Sequence, residues 1–268
     1  MPRRPSPLTP ALPWLEPGQA FPAVESAWGE HDPAPGLLAV GGALDVPTLE
    51  AAYRAGIFPW FSDGQPLLWW STDPRMVLET AAFRLHRSLR KRLQALLRAG
   101  RLQVRMDHDF EQVINACANT PRAGQRGTWI VPAMVAAYTD LHRAGVAHSV
   151  ETWIDGELAG GLYCIQIGRM LFGESMFSRC SDASKIALTA LVAFARAHQL
   201  PLIDCQQETN HLASLGARPL ARADFMARLR LLVQHPNRIE WRFEPVYWSE
   251  VLPSANPTAA SHTAVHRA

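Results

Sequence analysis

Long apolar runs are missing from this chain of 268 residues. Charged residues interrupt every hydrophobic stretch before it reaches the length that crosses a bilayer, which argues against a membrane protein. Near the N-terminus, Arg3 and Arg4 are followed by prolines and not by an apolar segment. We therefore expect no signal peptide, no membrane partner and a cytoplasmic location.

Cysteine is also scarce, and its spacing excludes the common metal motifs. The four cysteines, Cys117, Cys164, Cys180 and Cys205, form neither a CxxC pair nor a Cys/His pattern typical of a metal site. We expect free thiols in a reducing compartment and no metal. Cys205 lies between Asp204 and Gln206, but the only base near it in sequence is His211, so a structural role is the better interpretation.

Acidic residues are absent from residues 84–105, whereas arginine is abundant there. Leucines recur at helical spacing in the same stretch, which predicts one amphipathic helix over 84–105 with a basic outer face. Such a face is often simply solvated, but solvated helices normally carry both signs of charge. A polyanion explains a purely basic face better, so we predict contacts to nucleic-acid phosphates. The residues assigned to this contact are Arg84, Arg87, Arg90, Lys91 and Arg92.

The second half of the chain carries the signals of a mixed α/β domain. Strands are predicted at 146–154 and 158–167, joined by the hairpin turn Asp155-Gly156, and at 170–177. A helix that opens near Ser181 leads to a further apolar strand that ends at Ile203. A strand, a crossover helix and a second strand form a unit whose two strands are parallel.

Polar side chains follow both strands of this parallel pair. Glu174 comes after the first strand, and Asp204 and Gln206 come at the end of the second. Because parallel strands end at the same edge of a sheet, we expect these side chains to share one crevice, where open α/β sheets usually bind ligands. Two carboxylates and an amide in an apolar setting predict a functional site there.

Aromatic side chains are dense in the first quarter of the chain. Tyr53 falls near the end of a predicted helix over 46–56, and Trp60 follows Pro59 in a turn. Further along the chain, Trp129 lies in a glycine-rich loop. Most such rings pack in a core. A ring in a loop, such as Trp60 or Trp129, is free to stack on a base.

Eight short strings follow one another as in the bacterial leucyl/phenylalanyl-tRNA–protein transferases, and the chain resembles that family over about residues 20–235. The strings are Phe58-Pro59-Trp60-Phe61, Leu68-Trp69-Trp70-Ser71, Thr128-Trp129-Ile130, His148-Ser149-Val150-Glu151, Gly160-Gly161-Leu162-Tyr163, Gly173-Glu174-Ser175-Met176-Phe177-Ser178, Ala183-Ser184-Lys185 and Asp204-Cys205-Gln206.

The resemblance implies an α+β (mixed α/β) protein of two domains. Residues 21–80 are expected to form a smaller α+β domain, and residues 81–252, including the basic helix, a catalytic domain with the acyl-CoA N-acyltransferase-like fold. Residues 1–20 are rich in proline and residues 253–268 are small and polar, so we expect both ends to be disordered.

The activity implied by the resemblance is aminoacyl transfer. Such an enzyme moves Leu or Phe, and less well Met, from aminoacyl-tRNA to the N-terminal Arg or Lys of an acceptor protein, which marks the acceptor for N-end-rule degradation. The donor is an activated ester, so no cofactor is needed. We expect a monomer.

The resemblance also suggests roles for individual residues. Asp204 would orient or deprotonate the amine, Gln206 would hydrogen-bond the reacting groups, and Glu174 would hold the donor or the cationic acceptor. An apolar pocket with Met176 and Phe177 would take the Leu or Phe side chain. The terminal adenosine would be held by Trp60 and Trp129, with Tyr53 nearby.

Two other functions stay open at this stage. Another N-acyltransferase of the same fold, using acyl-CoA or aminoacyl-tRNA, would use the same crevice. A CoA user, however, needs a Gly-rich pyrophosphate loop at a helix N-terminus, and we see none. A non-catalytic RNA-binding protein would explain the basic helix but not the pairing of Glu174 with Asp204.

Overall fold

The computed structural model describes residues 11–120, 130–236 and 239–252. The strands are β1 (Trp14–Leu15), β2 (Leu37–Gly41), β3 (Phe58–Pro59), β4 (Leu68–Trp70), β5 (Arg75–Glu79), β6 (Leu102–Met106), β7 (Ala147–Ile154), β8 (Glu157–Ile167), β9 (Met170–Ser178), β10 (Leu202–Gln206) and β11 (Arg218–Leu220). The helices are α1 (Val46–Arg54), α2 (Arg87–Arg98), α3 (Phe110–Ala118), α4 (Pro132–Arg143), α5 (Ala183–Ala197), α6 (Asn210–Ser214) and α7 (Arg222–Leu232). None of the helices in these ranges has the length and hydrophobicity of a membrane span.

The N-terminal part contains a four-stranded sheet in the order β1-β2-β4-β3. Its first strand lies within residues 1–20, which were predicted to be disordered. That prediction is wrong for Trp14–Leu15, because β1 pairs in parallel with β2 and buries Leu15. Residues 1–10 and the predicted tail 253–268 lie outside the described residues.

The larger part is built on a seven-stranded mixed sheet in the order β11-β5-β10-β9-β8-β7-β6. Strands β6 to β9 form an antiparallel meander, and α5 then connects β9 to β10, which pairs with it in parallel. The hairpin turn between β7 and β8 has positive φ at both Asp155 and Gly156, as a two-residue turn of this kind requires. The mixed α/β class and the meander followed by a βαβ unit are confirmed.

The basic segment forms a shorter helix than predicted, because α2 spans only Arg87–Arg98. Arg84 precedes it and donates its backbone N–H to the carbonyl of Leu215. Gly100 then takes a left-handed conformation with φ of 64° and ends the helix. Arg105 lies on β6, where its guanidinium stacks on Trp153. The prediction of one helix over 84–105 is therefore wrong at both ends.

The boundary predicted after residue 80 falls one strand too late. β5 (Arg75–Glu79) is an inner strand of the seven-stranded sheet, between β11 and β10, and its middle residues are buried. The two parts also share a core, in which Leu49 and Tyr53 of α1 pack with Tyr138 and Phe172 of the larger part. This shared core places side chains of the N-terminal part next to the end of β9.

Candidate active site

The site lies where the parallel strands β9 and β10 stop pairing, at Phe172 and Asp204. Each strand carries a β-bulge directly after this point, with Glu174 as the extra residue on β9 and Cys205 as the extra residue on β10. A bulge leaves one residue unpaired and changes the direction of the side chains around it. As a result, Glu174, Cys205 and Gln206 all border the same two cavities.

Glu174 accepts hydrogen bonds from three neutral side chains. Its Oε1 accepts from the Tyr53 hydroxyl at 2.7 Å and from the Gln206 Nε2 at 2.9 Å. Its Oε2 accepts from the Tyr138 hydroxyl at 3.2 Å. The two tyrosine hydroxyls also contact each other. The strand ends therefore bring Glu174 and Gln206 together, as the parallel pairing predicted.

These surroundings change the acidity of Glu174. Burial raises its pKa to about 7, and the charge of Asp204 acts in the same direction, against the hydrogen bonds from the tyrosines and Gln206. Burial raises the pKa of Tyr53 and Tyr138 well above the usual range, so both hydroxyls are neutral donors. A carboxyl group with a pKa near neutrality exchanges its proton readily at physiological pH.

Asp204 has a different environment, because it is fully buried against an arginine. Arg75 donates from Nε to Oδ1 at 2.9 Å and from Nη2 to Oδ2 at 2.7 Å. The backbone N–H of Gln206 donates to the same Oδ1 at 2.9 Å. Asp204 lines neither cavity. This geometry corrects the expectation that its carboxylate meets the amine directly, because Asp204 is shielded from both cavities.

Two cavities meet at Glu174 and Gln206. The larger, of about 830 Å³, is mainly aliphatic, with Leu162, Met176 and Leu188 among its lining residues. The smaller, of about 160 Å³, is lined by Trp60 of the N-terminal part together with residues of β3 and β10. The residues common to both are Glu174, Cys205, Gln206, Thr209 and Leu212.

The aromatic and apolar residues assigned from sequence fall in different places. Met176 lines the larger cavity and Trp60 the smaller one. Phe177 does not line either cavity, because it is the next residue on β9 and its side chain is buried in the core. Tyr53, which was assigned to substrate binding near the adenosine, is fully buried, lines neither cavity and bonds to Glu174 instead. Trp129 lies outside the described residues.

Arg75 and Tyr138 were missed by sequence reasoning. Arg75 is followed by Met76, Val77 and Leu78, and an arginine at the start of a buried strand is a signal that a buried acid pairs with it. Tyr138 gave no signal, because a tyrosine on an amphipathic helix most often packs in a core.

The cations of α2 are exposed or half-buried. None of them has an ion-pair partner among the described residues, whereas Arg143 of α4 pairs with both Asp140 and Glu111. Just before α2, a ring nitrogen of His86 lies 2.9 Å from the carbonyl oxygen of Ser214, at the end of α6. Leu212 of the same helix α6 lines both cavities, so the residue that precedes α2 contacts an element of the cavity wall.

Cys205 lines both cavities, so its reactivity decides whether it can act as a nucleophile. Burial raises the pKa of its thiol far above the usual range, and the charge of Asp204 adds to this effect. The thiolate is the nucleophilic form, and it is essentially absent at neutral pH. Cys205 is therefore an inert lining residue.

Comparison with known proteins gives matches over most of the chain. The family model described as leucyl/phenylalanyl-tRNA protein transferase matches residues 77–230, and the model of the N-terminal domain of that family matches residues 42–73. A leucyl/phenylalanyl-tRNA–protein transferase from Polaromonas sp. is 63% identical over 92% of this chain and 96% of its own length. The enzyme of the same name from Albidiferax ferrireducens is 56% identical over 91% of this chain and 95% of its own length.

Similarity to solved structures is weaker. The C-terminal domain of a putative lysylphosphatidylglycerol synthetase from Agrobacterium fabrum superposes with a TM-score of 0.32 at 13% identity, over 66% of this chain and 57% of that chain. The mixed α/β fold is defined by the strand order and connections of this chain alone.

The state of the Cys205 thiol predicts its alkylation rate. In the native protein at about pH 7.5, iodoacetamide should modify Cys205 at least about tenfold more slowly than exposed Cys180, because only the thiolate form reacts. Peptide mass spectrometry over time measures both rates in one sample, and in denaturant the two cysteines should react alike. Equal rates in the native protein would contradict this account of Cys205.

Proposed function

The chain belongs to the leucyl/phenylalanyl-tRNA protein transferase family, and on this basis we propose that its two cavities bring an aminoacyl-tRNA and the N-terminal amine of an acceptor protein together at Glu174. The enzyme transfers Leu or Phe, and less well Met, to proteins that begin with Arg or Lys, which marks them for N-end-rule degradation. It works as a monomer in the cytoplasm. The observation that carries this proposal is the Gln206–Glu174 contact of 2.9 Å at the junction of an aliphatic and an aromatic cavity.

The larger cavity is the donor side-chain pocket. Its volume of about 830 Å³ admits either Leu or Phe, and its lining of Leu162, Met176, Leu188 and Leu191 offers only apolar contacts to the side chain. An apolar pocket discriminates by about 1–3 kcal/mol per methylene, so a Met donor is accepted at a lower rate.

The smaller cavity takes the end of the tRNA. Trp60 borders it, and an indole ring there stacks on the terminal adenosine without reading the identity of the tRNA. The resemblance also assigns Trp129 to binding of this adenosine. Beyond the cavity, the unpaired cations of α2 hold the acceptor stem by its phosphates.

The reaction needs an uncharged amine, because an ammonium group has no lone pair for attack. An α-amino group has a pKa of about 8, so a nearby base favours its reactive form. The amine nitrogen attacks the ester carbonyl carbon while Glu174 accepts a proton from it. The carbon–oxygen ester bond then breaks, and Glu174 returns the proton to the departing ribose oxygen.

The other residues of the site support this proton transfer. Gln206 donates to Glu174 and orients the carboxylate towards the junction of the cavities. Tyr53 and Tyr138 hold the carboxylate from the opposite side. Most of the acceleration comes from positioning, since the ester is already activated. The negative charge of Glu174 also favours acceptors with a cationic first residue.

A non-catalytic RNA-binding protein would need only the basic surface. It would have no need of a buried carboxyl group whose pKa is raised to about 7. Transfer of aminoacyl groups explains both features.

The direct test is a transfer assay. Purified protein is incubated with radiolabelled Leu-tRNA and a peptide that begins with Arg, and label should enter the peptide. The same peptide with an acetylated N-terminus, and one that begins with Gly, serve as controls and should stay unlabelled. Failure to label the Arg peptide, with donor that is intact at the end of the incubation, would refute the proposed function.

The acidity of Glu174 predicts a pH dependence of transfer. The single-turnover rate should rise with pH and show an apparent pKa of about 7, because only the carboxylate accepts a proton. Glu174→Gln should lower the rate by about 10²-fold or more. The pH–rate profile of this variant should show only the increase near pH 8 that comes from deprotonation of the acceptor amine. Glu157→Gln, at an exposed position on β8, is the matched control and should behave as wild type.

The same variant has a readout that needs no substrate. The folded-state pKa of Glu174 lies above its ordinary value of 4.5, so wild-type stability should fall as pH rises from about 4.5 to about 7. Glu174→Gln should lack this decrease and be the more stable protein above pH 7. Parallel stability curves for the two proteins, measured by urea unfolding between pH 4.5 and 8, would show that Glu174 is not perturbed.

The unpaired cations of α2 predict a salt dependence of tRNA binding. Replacing Arg87 and Lys91 together by Ala should weaken binding of every tRNA to a similar extent and reduce the slope of log K against log salt concentration by up to about 2. Arg143→Ala removes an exposed cation that already has acidic partners, and its slope should match wild type. An unchanged slope in the double variant would mean that the polyanion binds elsewhere.

A further inference from the structure

Arg75 is a buried arginine that contacts both walls of the site. Its side chain is only 1% exposed, and its guanidinium lies between the rings of Phe58 and Phe225 at 4.7 and 4.8 Å from their centroids. Besides its two bonds to Asp204, it donates from Nη1 to the carbonyl oxygen of Gly56 at 3.1 Å. One planar group therefore holds a strand of the large sheet and a turn of the N-terminal part.

On the β10 side, Arg75 fixes the position of Gln206 through Asp204. Gln206 has a left-handed backbone with φ of 59°, a conformation that is sterically unfavourable for a non-glycine residue. Two contacts hold it there: its N–H donates to the Asp204 Oδ1, and its carbonyl oxygen accepts from the Thr72 hydroxyl at 3.2 Å. If the Asp204 carboxylate turns, Gln206 loses the acceptor that keeps its side chain aimed at Glu174.

On the opposite side, Arg75 fixes the turn that leads to Trp60. Gly56 has φ of 71°, and its α-carbon packs so closely on α7 that an added Cβ would lie 2.5 Å from the Met226 sulfur. The bond from Arg75 holds the carbonyl of this glycine, and the ring of Phe58 rests on the guanidinium. Two residues after Phe58, Trp60 borders the smaller cavity.

We propose that Arg75 is a positioning residue for aminoacyl transfer. Its contacts set the distance between Trp60, on one side of the smaller cavity, and the Gln206–Glu174 pair on the other side. Its charge also neutralises Asp204, which lies behind that pair. The proposal rests on the proposed function. It requires the arginine fork, because the ammonium of a lysine is a point charge that cannot bond side-on to a carboxylate and also reach the Gly56 carbonyl.

Arg75→Lys separates charge from geometry. It keeps the positive charge next to Asp204, so the limb of the pH–rate profile assigned to Glu174 should stay near pH 7. The single-turnover rate should nonetheless fall by about tenfold or more, because lysine cannot keep the bonds to both Asp204 and the Gly56 carbonyl that hold the two sides of the smaller cavity in place. Arg196→Lys is the matched control, since Arg196 also donates to backbone carbonyls but lies away from the cavities. A wild-type rate for Arg75→Lys would overturn the proposal.

A second variant excludes a role in stability alone. Replacing Arg75 by Met and Asp204 by Leu together removes both charges, and buried ion pairs are often replaced by apolar residues without loss of stability. We expect this protein to unfold at a denaturant concentration near that of wild type and to transfer at least about 100-fold more slowly. Transfer within about threefold of wild type in the folded double variant would show that the pair only supports folding.

A third measurement keeps this inference distinct from the proposed function. Cys205 lies between Asp204 and Gln206, so its alkylation by iodoacetamide reports on the end of β10 without any substrate. It should accelerate at least about tenfold in Arg75→Lys and stay slow in Arg196→Lys. An unchanged Cys205 rate would refute positioning even where transfer is lost, and a changed rate would support it even if the acceptor proves to be another amine.

Discussion

The parallel pairing of β9 and β10 ends at Phe172 and Asp204, and the chemistry of the site depends on this point. Beyond it, each strand carries a bulge that interrupts the pairing of the backbone groups. The side chains that follow the last pair therefore face a common space. Glu174 and Gln206 each lie two residues past the last pair and bond across the gap between the strands. The site thus lies where the pairing of the sheet is interrupted, and residues from both parts of the chain contact Glu174 there.

The two buried carboxyl groups of the site have opposite surroundings. Asp204 faces a guanidinium, whereas Glu174 faces only neutral hydroxyl and amide donors, and burial raises the pKa of Glu174 to about 7. Two acids in different environments commonly have different roles in enzymes. Asp204 accepts a hydrogen bond from the backbone N–H of Gln206, and under the proposed function Glu174 carries the proton.

Patterns in the sequence predict much of the architecture. The meander, the crossover helix and the parallel strand follow from apolar periodicity and from the Asp155-Gly156 turn, and the meeting of Glu174 with Gln206 follows from parallel strand ends. The bulges do not, since they depend on how neighbouring strands align. The length of α2 was overestimated because the run of basic residues without an acid continues past Gly100 to Arg105, which lies on β6.

The functions of Tyr53 and Arg75 depend on contacts between distant segments. Tyr53 is 121 residues from Glu174 along the chain, and Arg75 is 129 residues from Asp204. No local spacing indicates such pairings. Family resemblance identifies a tyrosine near the site, but only the packing of α1 against β9 shows that its hydroxyl is turned towards the carboxyl group and away from the cavity.

The helix α6 gives the larger cavity an unusual boundary. It has five residues, none of them buried, yet Leu212 and His211 close one side of the space next to Met176 and Leu188. Because α6 is exposed, only a thin layer of side chains separates this part of the cavity from solvent. The cavity of about 830 Å³ has room for either a branched aliphatic or an aromatic amino acid.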